Sequence, residues 1–199
     1  MTSSASLLCM LGSPRRRGNS DLLAVEVVRG FEEAGGKSET VVLTQLDLRD
    51  CTGCDWCKQD HERPCVIRDD MQDLYDRMKR ASAIVWATPV YYWSPTVALK
   101  TVVDRLFAWG DWQTTRHAKA LDGCPVGLVV TYAEDEPAES GYYHTFHILK
   151  AAVESSGGKL AGCVHASATD KGEVSQQPLA LQAARQLGMQ LYELGHTGK

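Results

Sequence analysis

Residues Ser6–Ser20 read SLLCMLGSPRRRGNS, and the junction inside this stretch decides the fold. The run up to Leu11 is short and apolar. It stops at Gly12, crosses a basic turn and gives way to DLLAVEVVRGFEEAGG, in which Leu22, Leu23, Val27 and Phe31 recur at helical spacing. A buried strand, a polar loop and an amphipathic helix closed by glycine form the first half of a strand–helix–strand unit in a parallel sheet.

Working outward, the same alternation continues. SETVVL (38–43) reads as a second strand, AIVWA (83–87) as a third, PVGLVV (125–130) as a fourth and KLAGCVHA (159–166) as a fifth. Between the second and third, Asp69 followed by Gln72 resembles a capping box ahead of Leu74, Tyr75 and Met78, which predicts a helix to about Ala81. Ser94 and Pro95 read as an N-cap and first helical residue, opening a helix through Leu99, Val102 and Leu106 to near Gly110. GYYHTFHILKAAVESSGG and PLALQAARQLGMQLYEL supply the last two helices. Strands apolar on both faces, alternating with helices and with no antiparallel pair, imply an α/β three-layer, doubly wound sandwich, one domain over residues 1–199.

Composition excludes several classes of function. With 21 Lys+Arg against 25 Asp+Glu the net charge is -4, too acidic for a fold-wide nucleic-acid surface. No apolar run approaches the roughly 18 residues of a membrane helix. SASLLCML lacks the basic lead of a signal segment, so a cytoplasmic location is expected. Seven cysteines is an odd number, and four of them fall between Cys51 and Cys65, in CTGCDWCKQDHERPC. In a reducing compartment such crowding points to metal or redox chemistry rather than disulfides.

In a doubly wound sheet, ligands gather at the carboxyl ends of the strands. After the first strand, Ser13, Asn19 and Ser20 offer hydroxyl and amide groups, Arg15–Arg17 offer charge, and a helix N-terminus stands behind them. That combination suits a phosphate monoester, although a solvated basic turn would look similar. Neither GxxxxGK[ST] nor GxGxxG occurs, so no nucleotide P-loop or dinucleotide turn is indicated. After the third strand comes TPVYYWSP. Tyr91, Tyr92 and Trp93 cannot all enter one core, because alternate residues of an extended chain face opposite ways. They could stack on a planar heterocycle, close the core or line a subunit interface.

GSPRRRGNS, CTGCDWC, CVIRDDM and ATPVYYWSPTVALKTVVDR occur in an order and spacing that resembles the flavodoxin-like NAD(P)H-dependent FMN reductase superfamily, and within it the iron-sulfur flavoproteins. The motifs cover roughly the first 110 residues. The resemblance implies a flavodoxin-like five-stranded parallel sheet in order 2-1-3-4-5 and an FMN-dependent oxidoreductase fed by NAD(P)H or a ferredoxin-like donor. It carries the FMN phosphate onto Ser13, Arg15, Asn19 and Ser20, and the flavin ring onto Pro89, Val90, Tyr91, Tyr92 and Trp93. Thr131 and Tyr132, in TYAED, match the segment beside the isoalloxazine less closely. No catalytic side chain is implied, because the protein orients the cofactor and tunes it. A non-catalytic electron carrier is the alternative.

Cys51, Cys54 and Cys57 have the C-x2-C-x2-C spacing that lets one loop hold three corners of a [4Fe–4S] cluster, with Cys65 as the candidate fourth ligand. Zinc on four thiolates, or on three with His61, fits the same residues, and so do thiols that bind no metal. Asp69 and Asp70 read as cap and dipole partners, and Lys100, Asp104 and Arg105 as surface or subunit-contact groups. His144 and His147 read as solvated, and Cys9, Cys124 and Cys163 as small apolar residues of the core. Trp93, Trp109 and Trp112 would leave more aromatic surface than a monomer exposes, which predicts a homodimer or higher oligomer.

Overall fold

The apolar run that opens the chain forms β1 (Ser6–Leu11), which pairs in parallel with β2 (Lys37–Val42) on one side and β3 (Ala83–Pro89) on the other. β4 (Pro125–Tyr132) and β5 (Lys159–Ser167) extend the sheet in parallel, giving the order 2-1-3-4-5. This is a computed structural model, and it describes residues 5–59, 65–111, 117–118 and 120–197. His61 and Trp112, both invoked above, lie outside the described residues.

Alternation along β1 distributes the core. Leu7, Cys9 and Leu11 face the layer built by α1 (Asn19–Glu33) and α5 (Pro178–Thr197), packing with Val27, Phe31 and Leu187. Leu8 and Met10 face the layer of α2 (Met71–Arg80), α3 (Val97–Arg105) and α4 (Tyr142–Ser155), packing with Leu74, Leu99 and Leu149. The central strands β1, β3 and β4 are buried on both faces, as parallel strands between two helical layers must be. The edge strand β2 is not, and exposes Lys37, Glu39 and Thr40.

Three local expectations change. α3 begins at Val97 rather than at Pro95, because Tyr91–Ser94 closes a tight turn first and Thr96 becomes the residue that enters the helix. The capping box at Asp69 does not form: Asp69 is taken by Arg105, and the Gln72 amide turns back to donate to the Ile67 carbonyl at 2.9 Å. After α3 the chain continues as a 3-10 turn over Leu106–Trp109, and Gly110–Asp111 then pairs antiparallel with His117–Ala118, an element the alternation did not announce. Among the described residues, no helix is long and apolar enough to cross a membrane.

Candidate functional site at the carboxyl edge of the sheet

The first loop leaves β1 at Gly12 and is tied on both sides. Gly12 N–H donates to the Ala87 carbonyl at 2.8 Å, and the Thr96 hydroxyl donates to the Gly12 carbonyl at 2.8 Å. A β-carbon at Gly12 would lie 2.8 Å from the Thr96 Oγ1, so only glycine allows that approach. The Ser13 hydroxyl lies inside the loop, accepting from Arg15 N–H at 3.1 Å, while Arg15, Arg16 and Arg17 are exposed. Among the described residues no side chain caps α1, which leaves the first N–H groups of the helix open to an acceptor. Ser20 Oγ is buried there with no hydrogen-bond partner among the described residues.

Asn19 has a different task from the one its place in the motif suggests. Its Nδ2 donates to the carbonyls of Ala168 (3.1 Å) and Asp170 (2.8 Å), and its Oδ1 accepts from Gly172 N–H (3.0 Å) and Val174 N–H (3.3 Å). The side chain is fully spent clamping the loop after β5 against the start of α1. Next to it, Asp21 is held above the ordinary carboxylate range by burial, against the opposing pull of the Arg17 and Gly18 N–H groups. Burial, and then Asp21, push the Cys9 thiol up to about 12, so that cysteine is an inert core residue.

At the end of β3 the aromatic stretch folds back on itself. Tyr91 and Ser94 exchange backbone hydrogen bonds at 2.9 and 3.1 Å, and the two residues between them, Tyr92 (φ 48°) and Trp93 (φ 62°), both occupy the left-handed region. Hairpins with this backbone normally use Asn-Gly or Gly-Gly. Two consecutive bulky rings held at positive φ cost of order 1–3 kcal/mol each and persist where a site requires them. Tyr92 is 92% exposed, and Trp93 rests its edge on Tyr92 and its backbone on Gly141, where an added β-carbon would lie 2.6 Å from Trp93 Cα. Gly141 itself has φ +76°. Pro89 and Val90 lead into the turn, and Val90 N–H donates to the Thr131 carbonyl at 2.7 Å, which brings the ends of β3 and β4 together. Thr131 is buried. Tyr132 turns into the core, where its hydroxyl meets His165 Nδ1 at 2.9 Å and its ring packs on Tyr142.

The cysteine segment forms a third structure on the α2–α3 side. Gly53 (φ 64°) and Asp55 (φ 55°) curl the chain into a 3-10 turn at Trp56–Lys58. Cys51, Cys54, Cys57 and Cys65 line one cavity of about 320 Å³, closed by Arg105 and Phe107. Cys51 and Cys54 stand at its exposed rim, Cys57 is half-buried and Cys65 is buried. Burial, and then the neighbouring Cys65, Cys51 and Cys54, raise the Cys57 thiol; the Trp56 N–H and the Thr52 hydroxyl lower that of Cys54. Among the described residues, no three Cys, His, Asp or Glu side chains are gathered into a group that could hold a metal ion.

The ends of this segment are fixed by buried polar contacts. Arg105 Nη1 donates to the Arg49 carbonyl (2.7 Å) and to Asp69 Oδ2 (2.8 Å), and Nη2 donates to Asp69 Oδ1 (3.1 Å), with both side chains fully buried. Asp69 also accepts from Arg49 N–H, and Asp50 from the Thr101 hydroxyl at 2.7 Å. Burial alone would raise the Asp69 carboxyl, but the Arg105 hydrogen bonds and the Arg49 N–H outweigh it and hold it below the usual carboxylate range. The surface or subunit-contact role expected for Arg105 is therefore wrong. Lys100 and Asp104 do pair on the surface, at 2.6 Å. Trp109 is not a free aromatic face either, since Tyr75 packs on it at 4.8 Å and the Lys79 ammonium sits 4.9 Å from its ring centre.

Two loops thus meet at the carboxyl edge of a 2-1-3-4-5 sheet, and the cysteine segment packs at the far end of α3. The family model of the NADPH-dependent FMN reductases matches residues 5–156. The chain belongs to that family. An iron-sulfur flavoprotein of Archaeoglobus fulgidus is 35% identical over 144 residues, which span 71% of this chain and 61% of that protein, so the chain matches less than two thirds of its length. A second iron-sulfur flavoprotein of the same organism is 30% identical over 162 residues, 78% of each chain. The solved NAD(P)H:quinone oxidoreductase of Methanothermobacter marburgensis superposes with a TM-score of 0.73 over 94% of this chain and 96% of that one; at 17% identity it supports the flavodoxin-like fold alone.

For an NADPH-dependent FMN reductase the first loop fits the cofactor's phosphate on two counts, the uncapped α1 N-terminus and the orphaned Ser20 hydroxyl. The cysteine cavity fits a thiolate-bound group by its donor set, since all four thiols line it, although Asp55 and Asp104 line it too and the thiols are not drawn together into a ligand group among the described residues. Sequence reasoning missed Thr96 and Gly141, and it gave Asp69 and Arg105 a cap role and a surface role in place of the buried pair they form. Asp69 and Arg105 lie 36 residues apart, and no local pattern joins them.

Proposed function

We propose that the protein is an FMN-dependent oxidoreductase that passes electrons from NAD(P)H or a ferredoxin-like donor through FMN, and through a [4Fe–4S] cluster held by Cys51, Cys54, Cys57 and Cys65, to an acceptor. FMN, when bound, supplies two-electron hydride chemistry, and the cluster supplies one-electron exchange. One observation carries the reading: α3 begins beside the aromatic turn and ends in the wall of the four-thiol cavity. Its nine residues span about 13 Å, so one rigid element would set the separation of the two redox groups.

Each part of the chain then has a task. The α1 N-terminus and Ser20 hold the phosphate, with Ser13 and Gly12 shaping the loop and Arg15 lending charge from its exposed side. Asn19 positions that helix end from behind. Pro89–Trp93 present backbone and rings to the flavin, with Thr131 fixing the turn to β4. The cysteine tip contracts around its metal group, since its ends are already pinned. A second copy of the chain covers Tyr92 and the half-exposed Trp93, making a homodimer or higher oligomer.

Protein purified without air should carry one FMN and about four irons and four sulfides per chain. Cys54→Ala should abolish the iron and sulfide and leave FMN in place. Turnover of NADH or NADPH with quinone or dye acceptors identifies an enzyme, whereas reduction by ferredoxin alone identifies a carrier. Anaerobic protein reconstituted with iron and sulfide that still shows flavin absorbance alone would overturn the cluster assignment.

A further inference from the structure

We propose that Arg105 is a positioning residue for the group held by the four thiols: its Nε–H donates to a sulfur of that group and raises its affinity for an electron. The inference rests on the cluster reading above and gives a task to a residue to which the resemblance assigns none, although it closes the quoted motif ATPVYYWSPTVALKTVVDR.

A guanidinium has five N–H donors. Two on the Nη1 side and one on Nη2 are satisfied by Asp69 and the Arg49 carbonyl. Arg105 is only 1% exposed, and its Nε has no partner among the described residues. Buried charged donors without acceptors are rare, because each forfeits its hydration without return. Arg105 and all four cysteines line the same cavity, and on this proposal the acceptor for the buried, orphaned donor is a sulfur brought to it as the thiols gather around their group. Asp69 engages the Nη end, which leaves the Nε edge as the free one.

Hydrogen bonds to sulfur and nearby net charge are the protein's levers on cluster potential. A donor from a cation favours the more negative, reduced form. Asp69 works against it by neutralising the same guanidinium. Arg105 and Asp69 should therefore move the potential in opposite directions, which a merely loosened loop would not do.

The test is a dithionite titration, one electron per cluster with no bond made or broken, of anaerobically reconstituted wild type, Arg105→Lys and Asp69→Asn, followed by EPR and visible absorbance. Arg105→Lys should weaken electron uptake at least tenfold, about 59 mV downward for one electron, and Asp69→Asn should shift it upward, with FMN content unchanged. If Arg105→Lys does not fold, the double substitution R105Q/D69N, which replaces the ion pair by two amides, should also lower the potential. An unmoved potential in Arg105→Lys, or a shift of the same sign in both single variants, overturns the proposal while the cluster stands. Wild type that takes up no iron overturns the cluster reading and this proposal with it.

Discussion

The loop after β1 and the loop that carries the cysteines sit at opposite ends of α3 and are built in opposite ways. The first is finished. Its backbone is tied to β3 and to the start of α3, its helix end is clamped by Asn19, and what it offers a ligand is mostly N–H groups already in place. The second is fixed at its ends, while Cys51 and Cys54 are exposed and no ligand group is closed among the described residues. A preorganised oxygen-acceptor site can wait empty because helix N–H groups can be hydrated. Four converging thiolates repel one another and gather only when a metal binds them.

The largest effect expected from this contrast lies in the anchor of the open loop. Arg105→Ala leaves Asp69 buried and charged without its partner and should cost about 3–5 kcal/mol of stability by urea unfolding. The same pair gives a pH signature. The Asp69 carboxyl sits below its unfolded value of about 3.9, so its contribution is complete above that pH and is lost as pH falls through the depressed folded value. Wild type should lose melting temperature more steeply than Asp69→Asn between about pH 5 and pH 3. Parallel curves would mean that Asp69 is not the group responsible.

Next in size comes the clamp on the finished loop. Asn19→Ala strands two carbonyls and two N–H groups and should cost about 1–3 kcal/mol of stability, with FMN affinity falling as a consequence. Ser20→Ala removes a hydroxyl that has no partner among the described residues. It should leave stability nearly unchanged yet weaken FMN binding by about 0.5–1.5 kcal/mol, up to roughly tenfold. Fluorescence titration with FMN beside thermal melts of the apoprotein separates the two roles. Equal losses of stability in both variants would erase the distinction between a clamp and a ligand.

The sheet was legible because buried parallel strands and amphipathic helices write their periods directly into Leu7–Leu11, Ala83–Ala87 and Val126–Val130. The phosphate loop was legible as a location, but the division of labour inside it was not. Asn19 reaches Ala168–Val174, some 150 residues away, and nothing in GSPRRRGNS records that partner. The start of α3 was misread for a related reason. Ser94-Pro95 satisfies a local capping rule, but the left-handed pair Tyr92-Trp93 and the Thr96 bond to Gly12 are set by tertiary contacts. Arg105 was misread most, because a charged residue on the last turn of a helix is usually solvated, and only the fold brings Asp69 to it.

The smallest effect tests whether burial, rather than charge pairing as such, separates anchored from decorative groups. Lys100–Asp104 and Arg105–Asp69 are both short ion pairs that begin on α3, at 2.6 and 2.8 Å. The first pair is 40% and 46% exposed and the second fully buried. Water screens the exposed pair and solvates either partner when the other is removed, so its net worth falls to about 0.3–0.5 kcal/mol for this spacing on a helix. Lys100→Ala should therefore change the urea midpoint by less than about 0.5 kcal/mol equivalent, and still less in added salt, against the several kcal/mol expected for Arg105→Ala. A Lys100→Ala loss comparable to that of Arg105→Ala would mean that α3 is held by its surface charges as much as by its buried end. The contrast between a finished loop and a pinned one would then rest on the wrong feature.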